Sequence, residues 1–282
     1  MDNHGIGYID SGFGGLTVVS QALKLIPNEK IYFIGDQARM PYGVRPNQEI
    51  IDFTLQMADF LVEKHNIKLL VIACNTASAQ AIPYLKKELN IPIVGVIDAG
   101  AKAAVSQTKN GFIDVIATDS TVNSKAYFKK ITSTSSKVNV FQRGMQDFVS
   151  LVERGDIKDP RTAKFIKDSF ADWFDQVPQA KKADTLVLGC THFPIIIDQI
   201  AQAVPENMAV VDPAEQEVLD AIDILKDNHL QADQSKTIDH QKEDVFYTTG
   251  DLHHFIDFAK GWLKRDRLNA YELKINQKGL YL

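Results

Sequence analysis

Cysteine is nearly absent from this 282-residue chain: Cys74 and Cys190 are the whole supply. They stand too far apart to be a CxxC redox pair, and none of the seven histidines falls in an HExxH motif or a Cys/His cluster, so no metal site is expected. No apolar run reaches the length of a membrane span. Met1-Asp2-Asn3-His4 has neither the basic start nor the apolar stretch of a secretory signal. A cytoplasmic protein with no membrane partner is therefore expected, and there both thiols stay reduced. Basic runs are also lacking and the net charge is −5, which excludes nucleic acid as the expected primary partner. Apolar content of 45% with 24% charged residues is enough to build the core of an ordinary globular protein.

What the chain does contain centres on one stretch, Leu69-Leu70-Val71-Ile72-Ala73-Cys74-Asn75-Thr76. A short Val/Ile/Leu run reads as a strand buried on both faces, and the following residues have helical composition. Cys74 thus falls where a parallel strand ends and a helix begins. Ligands bind at that edge in open α/β sheets, and a helix N-terminus favours the thiolate. Thr185-Leu186-Val187-Leu188-Gly189-Cys190-Thr191-His192 repeats the device, with Pro194 suited to a first helical turn. A lone cysteine is more often a small buried hydrophobe. Two at matching strand ends, with none elsewhere, point to chemistry.

In chain order, residues 6–9 read as a first strand running into Asp10-Ser11-Gly12-Phe13-Gly14-Gly15, and residues 16–26 as a helix. The glycines fail a dinucleotide fingerprint, because Thr17 stands where the third glycine belongs. A tight turn presenting backbone N–H groups and Ser11 to a small anion fits better. Asp10 is a turn residue, a helix cap or a functional carboxylate on this evidence. Residues 31–34 form a second strand, followed by a shaped loop with Pro41, Tyr42, Gly43 and Pro46. Tyr42 there lines a pocket or covers a core edge. Asn47 is the expected cap of the next helix. Further strands are expected at 92–96, 113–118, 138–141, 185–189, 209–212 and 245–249. Helices are expected at 122–131, 161–174, 214–225 and up to about 263, with a polar loop over 228–243. This alternation predicts an α/β fold: two doubly wound, pseudo-symmetric domains with mostly parallel sheets and an active site in the cleft between them. Residues 1–98 with 212–282 would form the discontinuous domain carrying Asp10 and Cys74. Residues 99–211 would form the domain carrying Glu153, Cys190 and His192.

The chain resembles the glutamate racemases of the aspartate/glutamate racemase superfamily. The stretches that carry the resemblance are Ile9-Asp10-Ser11-Gly12-Phe13-Gly14-Gly15-Leu16, Pro41-Tyr42-Gly43, Ala73-Cys74-Asn75-Thr76-Ala77-Ser78, Thr118 with Thr121, residues 148–153, Gly189-Cys190-Thr191-His192-Phe193-Pro194, and Thr248-Thr249-Gly250-Asp251. The resemblance implies cofactor-free interconversion of L- and D-glutamate, supply of D-glutamate for peptidoglycan, and a homodimer. It implies that Cys74 and Cys190 are the acid/base pair, with Asp10 supporting Cys74, His192 supporting Cys190, and Glu153 as a further carboxylate. Asp10, Ser11, Tyr42, Gly43, Asn75, Thr76, Thr191 and His192 match substrate contacts, as do Thr118 and Thr121. Two departures stand out. Gly144-Met145-Gln146 replaces a frequent Ala-Cys-Pro, with Ser150 replacing a proline. Asp98-Ala99 stands where a proline is frequent.

Two thiols suit racemisation, since a proton leaves one face of the α-carbon and another arrives on the opposite face, and each base must serve as acid in the reverse direction. The same chemistry on aspartate is the nearest alternative. A two-domain amino-acid-binding module with structural cysteines is a second, and a thiol redox protein a third.

Overall fold

The computed structural model describes residues 1–174, 177–178, 181–233, 235–277 and 279–282. The chain runs β1 (Ile6–Asp10), α1 (Leu16–Leu25), β2 (Ile31–Gly35), α2 (Asn47–His65), β3 (Leu69–Ile72), α3 (Asn75–Glu88), β4 (Ile93–Gly95) and α4 (Val96–Gln107). It continues through β5 (Phe112–Ala117), α5 (Asp119–Ser124), α6 (Ala126–Thr134), β6 (Asn139–Gly144), α7 (Gln146–Glu153), α8 (Pro160–Phe174), β7 (Thr185–Gly189), α9 (Ile197–Ala203) and β8 (Ala209–Val211). The last part is α10 (Ala214–Asp227), α11 (His240–Glu243), β9 (Val245–Thr248), α12 (Leu252–Leu263), β10 (Ala270–Glu272), β11 (Lys274–Asn276) and β12 (Gly279–Tyr281).

Two compact units result: residues 1–96 with 214–282, and residues 97–213. The first holds a six-stranded sheet in the order β10-β9-β2-β1-β3-β4, every pairing parallel. β1, β2 and β3 are buried along their whole length, as expected of apolar strands covered by helices on both faces. The second holds a four-stranded parallel sheet, β6-β5-β7-β8. The strand orders correspond: β2-β1-β3-β4 in one unit matches β6-β5-β7-β8 in the other. In each, the winding reverses beside the first strand, at β1/β3 and at β5/β7. Such a reversal opens a crevice at the carboxyl ends of those strands. Asp10 and Cys74 lie at one of these edges, Thr118 and Cys190 at the other.

Several local expectations are corrected. Residues 122–131 are not one helix: Lys125 sits in the left-handed region (φ 56°) and divides α5 from α6. Asn47 is the first helical residue after Pro46 and makes no side-chain cap. The strand expected at 92–96 ends at Gly95, and Val96 already begins α4, which holds Asp98. The polar stretch 228–243, of which residue 234 lies outside the described residues, ends in the short α11. β6 extends to Gly144, where a Cβ would come within 2.0 Å of the Asp119 carboxylate. Among the described residues no helix is long and apolar enough to cross a membrane.

Candidate active site

In the first unit the site grows from the end of β1. Asp10 is fully buried, and its Oδ2 accepts the Gly12 N–H at 3.0 Å. The turn can pass this close because Gly15 has no side chain. A Cβ there would stand 2.6 Å from the Asp10 Cβ. Beside it, across the β1/β3 pairing, Cys74 caps α3, its Sγ accepting the Ala77 N–H at 3.4 Å. The Cys74 thiol also lies 3.5 Å from Ser11 Oγ, the geometry of a hydrogen bond to sulfur. A helix N-terminus and a backbone donor both favour the thiolate. Asn75 and Thr76 are buried in the first turn of the same helix.

Tyr42 and Gly43 are buried in the 3-10 turn Tyr42–Val44, which packs against α3. The Tyr42 hydroxyl donates to Asp36 Oδ2. That carboxylate oxygen also receives Arg39 Nε at 2.7 Å, while Oδ1 receives the Thr249 hydroxyl at 2.7 Å. Burial, then the charge and hydrogen bond of Asp36, hold the Tyr42 phenol well above its ordinary range. Asp36 and Thr249 were not foreseen as site residues. The signal available was position, since each directly follows a strand, as Ser11 does.

The second unit is built differently. Cys190 follows β7 but heads no α-helix; a 3-10 turn, Phe193–Ile196 with Pro194 in its first positions, precedes α9. The helix expected directly after this thiol is therefore displaced. A buried histidine takes its place: His192 Nδ1 lies 3.6 Å from Cys190 Sγ, and His192 Nε2 lies 3.3 Å from Glu153 Oε1 at the end of α7. Burial opposes charge on this ring, but its contacts with Cys190 and Glu153 prevail and raise its pKa to about 10. The ring is thus a cation at neutral pH, between a thiol and a carboxylate. Thr191 is buried beside Cys190. Thr118 caps α5, and its hydroxyl bonds that of Thr121 at 3.0 Å. Among the described residues no group of three or more His, Cys, Asp and Glu is arranged to hold a metal ion.

Each unit therefore gathers its own share of the sequence candidates: Asp10, Ser11, Tyr42, Gly43, Cys74, Asn75 and Thr76 in the first, and Thr118, Thr121, Glu153, Cys190, Thr191 and His192 in the second. Two parallel sheets of corresponding strand order, each with a thiol at its switch point, define a two-unit α/β protein with the marks of an enzyme site. Residues 16–221 match the family model described as Asp/Glu/Hydantoin racemase. The chain is 52% identical over 280 residues to a glutamate racemase of Oenococcus oeni, covering 99% of each protein. It superposes on a glutamate racemase isoform of Bacillus anthracis with a TM-score of 0.89 at 31% identity, covering 99% of this chain and 100% of that one. With the Francisella tularensis glutamate racemase, solved in complex with D-glutamate, the TM-score is 0.84 at 32% identity, covering 96% and 98%. The chain belongs to the glutamate racemase family, and the activity this assigns is that of an amino-acid racemase, an isomerase.

Proposed function

We propose that the protein interconverts L- and D-glutamate without a cofactor, Cys74 and Cys190 acting as the two acid/bases, and so supplies D-glutamate for cell-wall peptidoglycan from the cytoplasm, as a homodimer. The observation that carries this reading is the pair of buried thiols, each at the switch point of a parallel sheet and each with its own partners. The D-glutamate in the related Francisella structure supports the substrate.

Cys74 takes the α-proton from D-glutamate and Cys190 takes it from L-glutamate; the other thiol returns a proton to the opposite face. Asp10 supports Cys74. His192, cationic and held by Glu153, supports Cys190. A turnover of about 10 per second requires a barrier near 16 kcal/mol. Orientation supplies roughly 7–11 kcal/mol of the reduction, and each donor aimed at the developing carbanion oxygens roughly 3–4 kcal/mol more. The residues assigned to hold substrate are Asp10, Ser11, Tyr42, Gly43, Asn75, Thr76, Thr118, Thr121, Thr191 and His192. Thr118 caps α5, and its hydroxyl bonds that of Thr121.

Incubating the purified protein with L-glutamate, with nothing added, and following optical rotation tests the reading. Decay of the signal to zero is expected. A constant signal from folded protein would favour an amino-acid-binding module, and decay with aspartate but not glutamate would move the substrate by one methylene.

A further inference from the structure

The segment from Asp36 to Arg45 carries Tyr42 and Gly43 between β2 and α2, and one buried guanidinium ties it to α2. Arg39 is 8% exposed. Its Nε donates to Asp36 Oδ2 at 2.7 Å, and its Nη1 donates to Oε1 of Gln56, on α2, at 2.5 Å. Its guanidinium carbon lies over the ring of Phe53, also on α2, 4.1 Å from the ring centre. Phe53 gathers two further groups from the same segment. The Arg45 guanidinium carbon stands 5.6 Å from its centre, and the Tyr42 ring 5.8 Å centre to centre. Arg45 donates from Nε to the Arg39 carbonyl and from its backbone N–H to the Tyr42 carbonyl at 3.1 Å. Its Nη1 reaches Glu49 Oε2, on α2, at 3.1 Å. The start of the segment is fastened to the sheet. The Asp36 N–H bonds the Asp10 carbonyl at 3.0 Å, and the Ala38 N–H bonds the Thr249 hydroxyl at 3.0 Å.

Stability does not account for this arrangement. Taking a guanidinium out of water is costly, and a buried ion pair returns little beyond that cost. What such a group fixes is geometry. Its donors point in set directions, so Asp36 and Gln56 together hold Arg39 in one placement. The Arg39 carbonyl then seats Arg45, and the Tyr42–Gly43 turn is closed between the two arginines.

Resting on the assignment of Tyr42 and Gly43 to the substrate, we propose that Arg39, Phe53 and Gln56 are positioning residues: they clasp the 36–45 segment to α2, so that the Tyr42–Gly43 turn is in place before the amino acid arrives. A preset turn loses little freedom when a ligand docks, whereas a loose one is ordered at the expense of affinity. Opening the clasp therefore acts on KM more than on kcat, because the two thiols and their own partners are left unchanged.

The test takes two readings on the full-length protein. Hydrogen exchange with mass spectrometry follows the peptide spanning residues 36–45 without substrate. Arg39→Lys keeps the charge and loses the fork, Gln56→Leu removes the acceptor, and Phe53→Leu removes the ring. Each should speed exchange in this peptide by about tenfold and leave peptides of β5 and β7 as in wild type. In the racemisation assay the same three should raise the KM for glutamate on the order of tenfold, with kcat within about threefold of wild type. Gln56→Glu keeps an acceptor oxygen and should match wild type in both readings. Unchanged exchange in the 36–45 peptide, or faster exchange spread evenly over the chain, would overturn the clasp. A fall in kcat at constant KM would reduce these residues to a structural role and overturn the proposal. Faster exchange confined to the peptide with wild-type kinetics would overturn it through the assignment of the turn to the substrate. The Gln56 pair decides if Arg39→Lys does not fold. Exchange is read without turnover, so failure of the clasp is separate from failure of the racemase reading, which optical rotation with the wild-type protein detects.

Discussion

At Asp10 the turn and the proposed chemistry draw on one carboxylate. Its Oδ2 holds the Gly12 amide, so the turn-residue reading is structurally correct as far as it goes. Asparagine can make the same bond through its side-chain carbonyl but cannot carry the charge. Asp10→Asn should therefore leave the circular dichroism and melting temperature near wild type, while kcat falls by about 10²–10⁴-fold. Wild-type turnover in a folded Asp10→Asn protein would reduce Asp10 to a turn residue. His192→Asn should cost a similar factor for a different reason. It removes a cation whose pKa is raised to about 10, and with it the link between Cys190 and Glu153. The two enantiomers have equal energy in water, so kcat/KM must stay equal in both directions in every variant. The separate kcat and KM values are free to diverge, and His192→Asn and Asp10→Asn should skew them in opposite senses.

β5 carries a less obvious burden for its unit. Asp114 sits mid-strand, paired across the sheet with Phe141 and Leu186, and is 4% exposed. Burial alone raises its carboxyl to about 7. The unfolded value is about 3.9, so between roughly pH 4 and 7 the folded chain binds the extra proton and stability falls as pH rises. The full penalty above pH 7 is at most about 4 kcal/mol. Asp114→Asn should therefore raise the melting temperature at pH 8 and change it little at pH 4. An equal change at both pH values would contradict the assignment. Asp114 also shows where the sequence becomes hard to read. Strands such as β3 and β7 are legible because they are buried on both faces and read as unbroken apolar runs. The same runs placed both cysteines correctly at strand ends. The α5/α6 break was hidden, because Lys125 in the left-handed region is not a glycine or an asparagine and leaves no compositional mark. The Cys190 turn was hidden too, since proline serves the start of an α-helix and of a 3-10 turn alike. Asp36 and Thr249 meet only in three dimensions, as partners from segments far apart in the chain.

For the molecule as a whole, corresponding strand orders with unlike thiol surroundings suit a reaction whose two halves are mirror related but not identical. Cys74 rests on a helix N-terminus and neighbouring hydroxyls, and Cys190 on a histidine–carboxylate pair. The central claim is that each turnover uses both. L-glutamate converted in deuterium oxide and stopped early tests it most directly. The thiol that delivers has equilibrated with solvent, so the D-glutamate formed should carry deuterium at the α-carbon. The thiol that abstracts holds substrate protium, and an intermediate that falls back regains it, so recovered L-glutamate should stay largely unlabelled. Deuterium appearing in recovered L-glutamate as fast as in D-glutamate would contradict two separate bases.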